Sequence, residues 1–194
     1  MRFTVLVMVA VGIALYLGGW SAKWAVQQSS EIGTVVVGHW QANPFSGAPD
    51  ADPYSKARLA MVGNLTLGIG EGIQFRSIRD ERDRPLRRDC SYVMVGTTPP
   101  SRIFTLAAYL PEGRLIRPSA GRPGWLTSNN LMRNDDNAFE IAVGPAARAG
   151  NWLATSGTGE MTLVLSLYDT PASAASGASS LSLPTIRRES CANG

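Results

Sequence analysis

Histidine is nearly missing from this chain: His39 is the one histidine in 194 residues. A multi-histidine metal centre is therefore excluded. A Ser/His/Asp triad would have to be built on His39, yet no Gly-x-Ser-x-Gly elbow accompanies it, and beside Trp40 it reads as structural. Cysteine is scarce too, with Cys90 and Cys191 alone and no zinc-ligand spacing. Asp135, Asp136 and Glu140 are too few for an all-carboxylate metal site and read as a turn and a strand start. Neither sign of charge dominates, with 18 basic against 15 acidic residues and a formal net charge of +3. The two signs alternate in Arg79, Asp80, Glu81, Arg82, Asp83 and Arg84, which reads as a solvated turn rather than an anion site. No basic helix or aromatic-and-basic RNA-binding strand is present, so nucleic acid is not an expected partner. Gly68-Ile69-Gly70 and Gly157-Thr158-Gly159 lack the lysine and the strand-to-helix setting of a phosphate loop. No cofactor and no metal are expected.

What the chain does contain is one long apolar run, Phe3 to Trp20, with Met1 and Arg2 before it and Lys23 and Trp24 after it. At 1.5 Å per residue the run reaches roughly 27 Å, close to the roughly 30 Å hydrocarbon core of a bilayer. Tyr16, Trp20 and Trp24 gather at its C-terminal end, where amphipathic rings suit the headgroup layer, and Lys23 can extend its amine to water. A cleaved secretory signal is the rival reading. Signals usually have a shorter apolar stretch, about 7–15 residues, ending in a small-residue site. Cleavage after Ala22 would put Trp20 where a small side chain is needed, although cleavage after Ser21 is sterically open. The uncleaved anchor is favoured. Arg2 and the terminal amine, set against Lys23 and Glu31, tilt the N-terminus towards the cytoplasm and the rest of the chain to the other side. In that oxidising setting Cys90 and Cys191 are expected to pair, closing a loop of about 100 residues worth roughly 4.7 kcal/mol. In a cytosolic setting both would remain thiols.

Residues 1–24 are thus the transmembrane anchor, and 25–40 a helical stalk followed by a first strand over Ile32 to Trp40. The remaining 41–194 is read as one domain. Asn43 to Asp50 is a Pro- and Gly-broken loop, and Asp52 is placed to cap a helix that starts at Pro53 and runs to about Val62. Tyr54, Ala57, Ala60 and Met61 are its expected apolar side, Lys56 and Arg58 its polar side, and Gly63 with Asn64 its exit. From Gly72 onward short β-like runs follow: Ile73 to Ile78, Tyr92 to Gly96, Ile103 to Leu110, Phe139 to Val143, and Met161 to Tyr168. No amphipathic helices intervene, which predicts a mainly β, antiparallel sandwich or barrel. Met161, Leu163, Leu165 and Leu167 form a uniformly apolar set that should face the core. Pro171 to Leu183, rich in Ala, Ser and Gly, reads as a flexible excursion.

A set of short phrases in this order resembles the bacterial domain of unknown function numbered 1214. They are Asp52-Pro53-Tyr54 with Arg58 and Ala60, Cys90-Ser91-Tyr92-Val93 leading to Gly96, and Pro100-Ser101-Arg102 before Thr105-Leu106. Val143-Gly144-Pro145, Gly150-Asn151-Trp152-Leu153, Leu165, Leu167-Tyr168 and Leu183-Pro184-Thr185-Ile186 complete the set. The resemblance runs from about Trp40 to the C-terminus. It implies a jelly-roll-like β-sandwich and the small branch of the family that carries an N-terminal membrane segment; it brings no general activity. Larger relatives join this domain to a second β-domain, numbered 1254. The chain departs from the family pattern at Leu110, Ser166 and Ala154, where the family often has Asp, Arg and Pro.

Arg102, Tyr109, Trp125, Asn129, Asn130, Asn151 and Trp152 remain as a candidate ligand-facing surface, because aromatic faces with amide groups suit sugars or peptides. The competing reading makes Trp152 a core residue and Asn151 a turn residue. The function expected is a membrane-tethered periplasmic module, held in the inner membrane through residues 3–20, that binds an envelope protein or glycan. The alternative is a hydrolase of envelope carbohydrate or a small ester, which rests on fold analogy alone.

Overall fold

In the structure, a computed structural model, residues 2–28, 34–45, 48, 51, 53–62, 67–68, 70–173 and 181–191 are described. The chain opens with helix α1 (Arg2–Gln28). Its 25-residue stretch Arg2–Val26 is long and apolar enough to cross a membrane, and its side chains are exposed except at the C-terminal end, where Ala25 and Val26 are partly buried. Val, Leu, Ile, Tyr and Trp side chains are exposed all round it. A helix with no polar stripe has no face to turn to water, so it needs an apolar surrounding.

Among the described residues ten strands follow: β1 (Val35–Val37), β2 (Trp40–Ala42), β3 (Gly72–Ser77), β4 (Cys90–Gly96), β5 (Ile103–Tyr109), β6 (Trp125–Thr127), β7 (Phe139–Gly144), β8 (Asn151–Ala154), β9 (Thr162–Tyr168) and β10 (Thr185–Cys191). Helix α2 (Pro53–Val62) lies between β2 and β3. The strands form a six-stranded sheet ordered β1-β2-β3-β9-β5-β6 and a four-stranded sheet ordered β10-β4-β7-β8. One continuous apolar core joins them, including Phe75, Leu106, Leu163, Leu165 and Leu167 from the larger sheet and Tyr92, Met94, Ile141, Leu153 and Ile186 from the smaller. Phe104 of β5 and Phe139 of β7 meet across the layer with ring centroids 5.5 Å apart. The period-two alternation of β9 puts Met161, Leu163, Leu165 and Leu167 in this core, as its pattern predicts. Val164 and Ser166 on the other face are also only 5% exposed, as suits a strand flanked by β3 and β5.

Three expectations are corrected. The single strand over Ile32 to Trp40 is instead the β1–β2 hairpin, turned at Gly38 and His39 with Val37 opposite Trp40. Gly38 takes φ +59, a conformation the tight turn requires and glycine supplies without steric cost. The pairing is not wholly antiparallel: β7 and β8 run parallel, Ile141 opposite Asn151 and Gly144 opposite Ala154. Parallel strands usually need a crossover of a dozen or more residues. Here residues 145–150 suffice, because a four-residue β8 asks for a return of roughly 10 Å, well within the roughly 20 Å that such a connection spans. Helix α2 has the expected bounds but not the expected apolar side: Met61 is 54% exposed, while Ser55 is buried. Asp52 as its cap, the side chains of Tyr54 and Arg58, Gly63 and Asn64 as its exit, and residues 174–180 of the expected flexible excursion lie outside the described residues.

Cys90 and Cys191 are cross-strand partners of β4 and β10 and are joined in a disulfide, Cα to Cα 3.9 Å. At the other end of β4, Trp40 Nε1 donates to Pro184 O at 2.7 Å, so the start of the last strand is held to the first hairpin. Gly72 opens β3 at φ +153, where a Cβ would lie 2.0 Å from Leu167 O. Only glycine lets β3 approach β9 this closely.

Candidate functional site

The densest run of charge turns out to be architecture. Residues 79–85 form a tight loop closed by an Arg79–Pro85 bridge and an Asp80 N–H to Arg84 O bond, with Asp83 at φ +60. Contrary to the expected solvated turn, Asp80 is completely buried. Its Oδ1 accepts the backbone N–H of Arg82 and of Arg84, each at 3.0 Å. Its Oδ2 meets Arg84 Nε at 2.9 Å and Arg188 Nε of β10 at 3.1 Å. Burial by itself would raise the carboxyl, but the Arg84 and Arg82 amides, the Arg84 side chain and the Arg188 charge outweigh it and hold Asp80 below its ordinary value of 3.8. Arg188 also lies over the Tyr92 ring at 5.4 Å and donates to Pro85 O. Tyr92 Oη accepts the Arg87 N–H at 2.7 Å; burial pushes this phenol up. Asp89 is held down first by its bond to the Arg87 side chain, 3.2 Å away.

The Gly157-Thr158-Gly159 loop is the reverse of an anion cradle. It presents the carbonyls of Ser156 and Thr158 to the Arg88 guanidinium, and a Cβ on Gly157 would meet Arg88 Nη1 at 3.0 Å. Its oxygens face inward to a cation that the chain itself supplies.

A cleft of about 220 Å³ lies over the outer face of β7. Glu140 and Ala142 of β7 form its floor, Met132, Arg133 and Asn134 one wall, and Arg148, Ala149, Gly150 and Asn151 of the short crossover the other. Each wall is fixed from behind. Asn151 accepts the Met132 N–H on Oδ1 at 2.8 Å, and its Nδ2 donates to Met132 O at 2.8 Å and Glu140 O at 2.9 Å. Arg133 lies 5.6 Å from the Phe104 ring centroid and 5.5 Å from that of Phe139, and its Nη1 donates to Asn137 O and Oδ1. Arg148 Nη1 reaches across to Glu189 of β10 at 2.7 Å. Glu140 is the one acid lining the cleft, so paired carboxylates for acid–base hydrolysis do not converge there. Among the described residues no group of three or more His, Cys, Asp and Glu side chains is placed to hold a metal.

The seven residues singled out from sequence do not share one surface. Asn151 lines the cleft, but its amide is spent on the backbone bonds just named, which makes it a turn clamp. Trp152 pairs with Ala142 beside the cleft, donates from Nε1 to Gly144 O at 3.1 Å, and has Arg122 over its ring at 5.9 Å. It is half-buried rather than a core residue. Trp125, 59% exposed, and Tyr109 lie on the other sheet, in β6 and at the end of β5. Arg102 precedes β5 at its opposite end, and Asn129 and Asn130 are exposed in the 3-10 turn after β6. Sequence reasoning left out Arg133 and Arg148; nothing in their local pattern marks them, since only the crossover brings them to one cleft. The departures from the family pattern are accommodated: Leu110 packs on the core, Ser166 accepts from Gln74 at 3.2 Å, and Ala154 donates its N–H to Pro123 O, a bond proline could not make.

No curated protein matches the chain. Among solved structures, the VPA0106 protein from Vibrio parahaemolyticus is similar in fold, with a TM-score of 0.61 at 15% identity over 92% of this chain and 44% of that one. A protein described as uncharacterized, from Burkholderia cenocepacia, aligns with a TM-score of 0.41 at 19% identity over 73% of this chain and 44% of the other. This chain thus spans less than half the length of either. The family model described as "Protein of unknown function (DUF1214)" matches residues 71–172, the segment that runs from β3 through β9 and contains the cleft, and the chain is a member of that family.

Proposed function

We propose that this protein is a membrane-tethered, extracytoplasmic binding module: α1 anchors it in the inner membrane, and a jelly-roll-like sandwich in the periplasm engages another envelope component through the cleft over β7. The observation that carries the reading is α1 itself, whose Phe3–Trp20 run has no charged residue and is exposed throughout. The chain between Gln28 and Val35 reaches at most roughly 25 Å when fully extended, so the sandwich is held close to the bilayer. The periplasmic side is favoured by Arg2 ahead of the run, and by the Cys90–Cys191 disulfide, which suits an oxidising compartment. Carbonate extraction of membranes, protease added to spheroplasts and to inverted vesicles, and crosslinking in native membranes test it. The expected result is an integral protein, digested from the periplasmic face and recovered crosslinked to an envelope component. Recovery in the soluble fraction with the leader intact, or digestion from the cytoplasmic face alone, would overturn it.

A further inference from the structure

The cleft over β7 holds side chains whose bonding capacity the fold leaves unused. Arg133 spends Nη1 on Asn137, with two bonds, and Arg148 spends Nη1 on Glu189. In both, the edge formed by Nε and Nη2 has no partner among the described residues. That edge is the planar fork that matches a carboxylate. The Glu140 carboxylate between the two walls, and the Asn134 side-chain amide, are likewise without partners among the described residues. Each arginine is tied through Nη1 to a residue outside the cleft lining, which limits how far its guanidinium can swing.

A lone anion placed between the arginines would face Glu140 as a like charge. A lone cation on Glu140 would face two guanidinium groups. A ligand that carries both charges on groups joined through one carbon can satisfy all three side chains at once. A cleft volume of about 220 Å³ is below the usual range for drug-sized ligands, which favours a small ligand group. We propose that this cleft binds an α-ammonium carboxylate group: the carboxylate on the free edges of Arg133 and Arg148, the ammonium on Glu140, and Asn134 on a remaining polar atom. The identification rests on the binding-module reading and names the ligand class of that same site.

The test is isothermal titration of the full chain in detergent micelles with four probes: alanine, Nε-acetyl-lysine, acetate and ethylamine. Alanine represents the free amino acid, and Nε-acetyl-lysine carries the same group at the end of a chain, as a larger envelope molecule would. Saturable binding of either is the expected result, and the tighter of the two identifies the source. Acetate and ethylamine should each bind at least roughly tenfold more weakly, having lost one charged contact. Glu140→Gln and Arg148→Gln should each weaken the amino-acid probes by roughly tenfold or more, while Glu140→Gln tightens acetate by removing the like charge. Both positions are at the surface, and an unchanged unfolding midpoint for each variant shows that the fold is intact. Acetate binding as tightly as alanine, indifference of alanine to Glu140→Gln, or no saturable heat from any probe overturns the assignment. None of these outcomes bears on membrane insertion, so failure here is separable from failure of the tether.

Discussion

Removing the Asp80 carboxylate should unlatch the last strand from the 79–85 loop. The group is fully buried and makes four contacts: the Arg82 and Arg84 amides at 3.0 Å, Arg84 Nε at 2.9 Å and Arg188 Nε at 3.1 Å. In Asp80→Ala the two amides lose their acceptor, and Arg188, whose side chain is only 14% exposed, loses its ion-pair partner without regaining water. Arg84, 41% exposed, can turn outward and recovers much of its loss. Breaking a buried pair in this way costs about 3–5 kcal/mol. Asp80→Asn keeps one acceptor oxygen and the shape but loses the charge, so about 1.5–3 kcal/mol is expected. The two variants also differ from wild type in their acid response. Because the folded pKa of Asp80 is depressed below 3.8, the unfolded state binds the proton more readily. The stabilisation is therefore complete above about pH 4 and fades as pH falls through the folded pKa. Urea unfolding of the full chain in detergent, followed by far-ultraviolet circular dichroism between about pH 2.5 and 7, measures both effects. The gap between wild type and Asp80→Asn should narrow towards acid. A cost under about 1 kcal/mol for Asp80→Ala, or a gap that stays constant through that range, would refute the role of Asp80 as the latch of the last strand.

Three further outcomes follow from the fold. Replacing both Cys90 and Cys191 by Ala, or adding reductant, removes a constraint on a 101-residue separation. It should cost roughly 4.7 kcal/mol and lower the calorimetric midpoint by roughly 10–20 °C. Gly72→Ala should destabilise by about 3 kcal/mol or more, since its Cβ would sit 2.0 Å from Leu167 O. Gly12→Ala, with nothing within 4 Å, should leave the urea midpoint of the sandwich unchanged.

The strands that alternate or form a dense apolar run, as Tyr92 to Val95 does, were legible in the sequence, and the short or edge strands were not. β9 announces itself through Leu163, Leu165 and Leu167, and β5 through Phe104, Leu106 and Ala108, because each faces one core. β10 buries Ile186 but exposes Arg187 and Glu189, so at the sheet edge its sequence carries no period to read. β6 and β8 are too short to show one. The β1–β2 hairpin hides in a run of β-formers whose one breaker is Gly38. Charge alternation around Asp80 looks like a solvated surface, since the distinction lies in Arg188, more than a hundred residues away. The cleft was opaque for the same reason. Asn151 stood out by residue type, whereas Arg133, Arg148 and Glu140 acquire meaning only when the crossover folds back over β7.

β9 occupies the middle of its sheet between β3 and β5, and β10 pairs with β4, so the two latest strands complete the two sheets. A ribosome adding about 5–20 residues per second takes on the order of 10 s to travel from β3 to the end of β9. During that interval β2 can cover one edge of β3, β6 one edge of β5 and β7 one edge of β4, but the edges that β9 and β10 will take stay open. Biosynthesis therefore leaves the closing of each sheet to a late strand, and holdase protection is most needed for the nascent segment between residues 72 and 160.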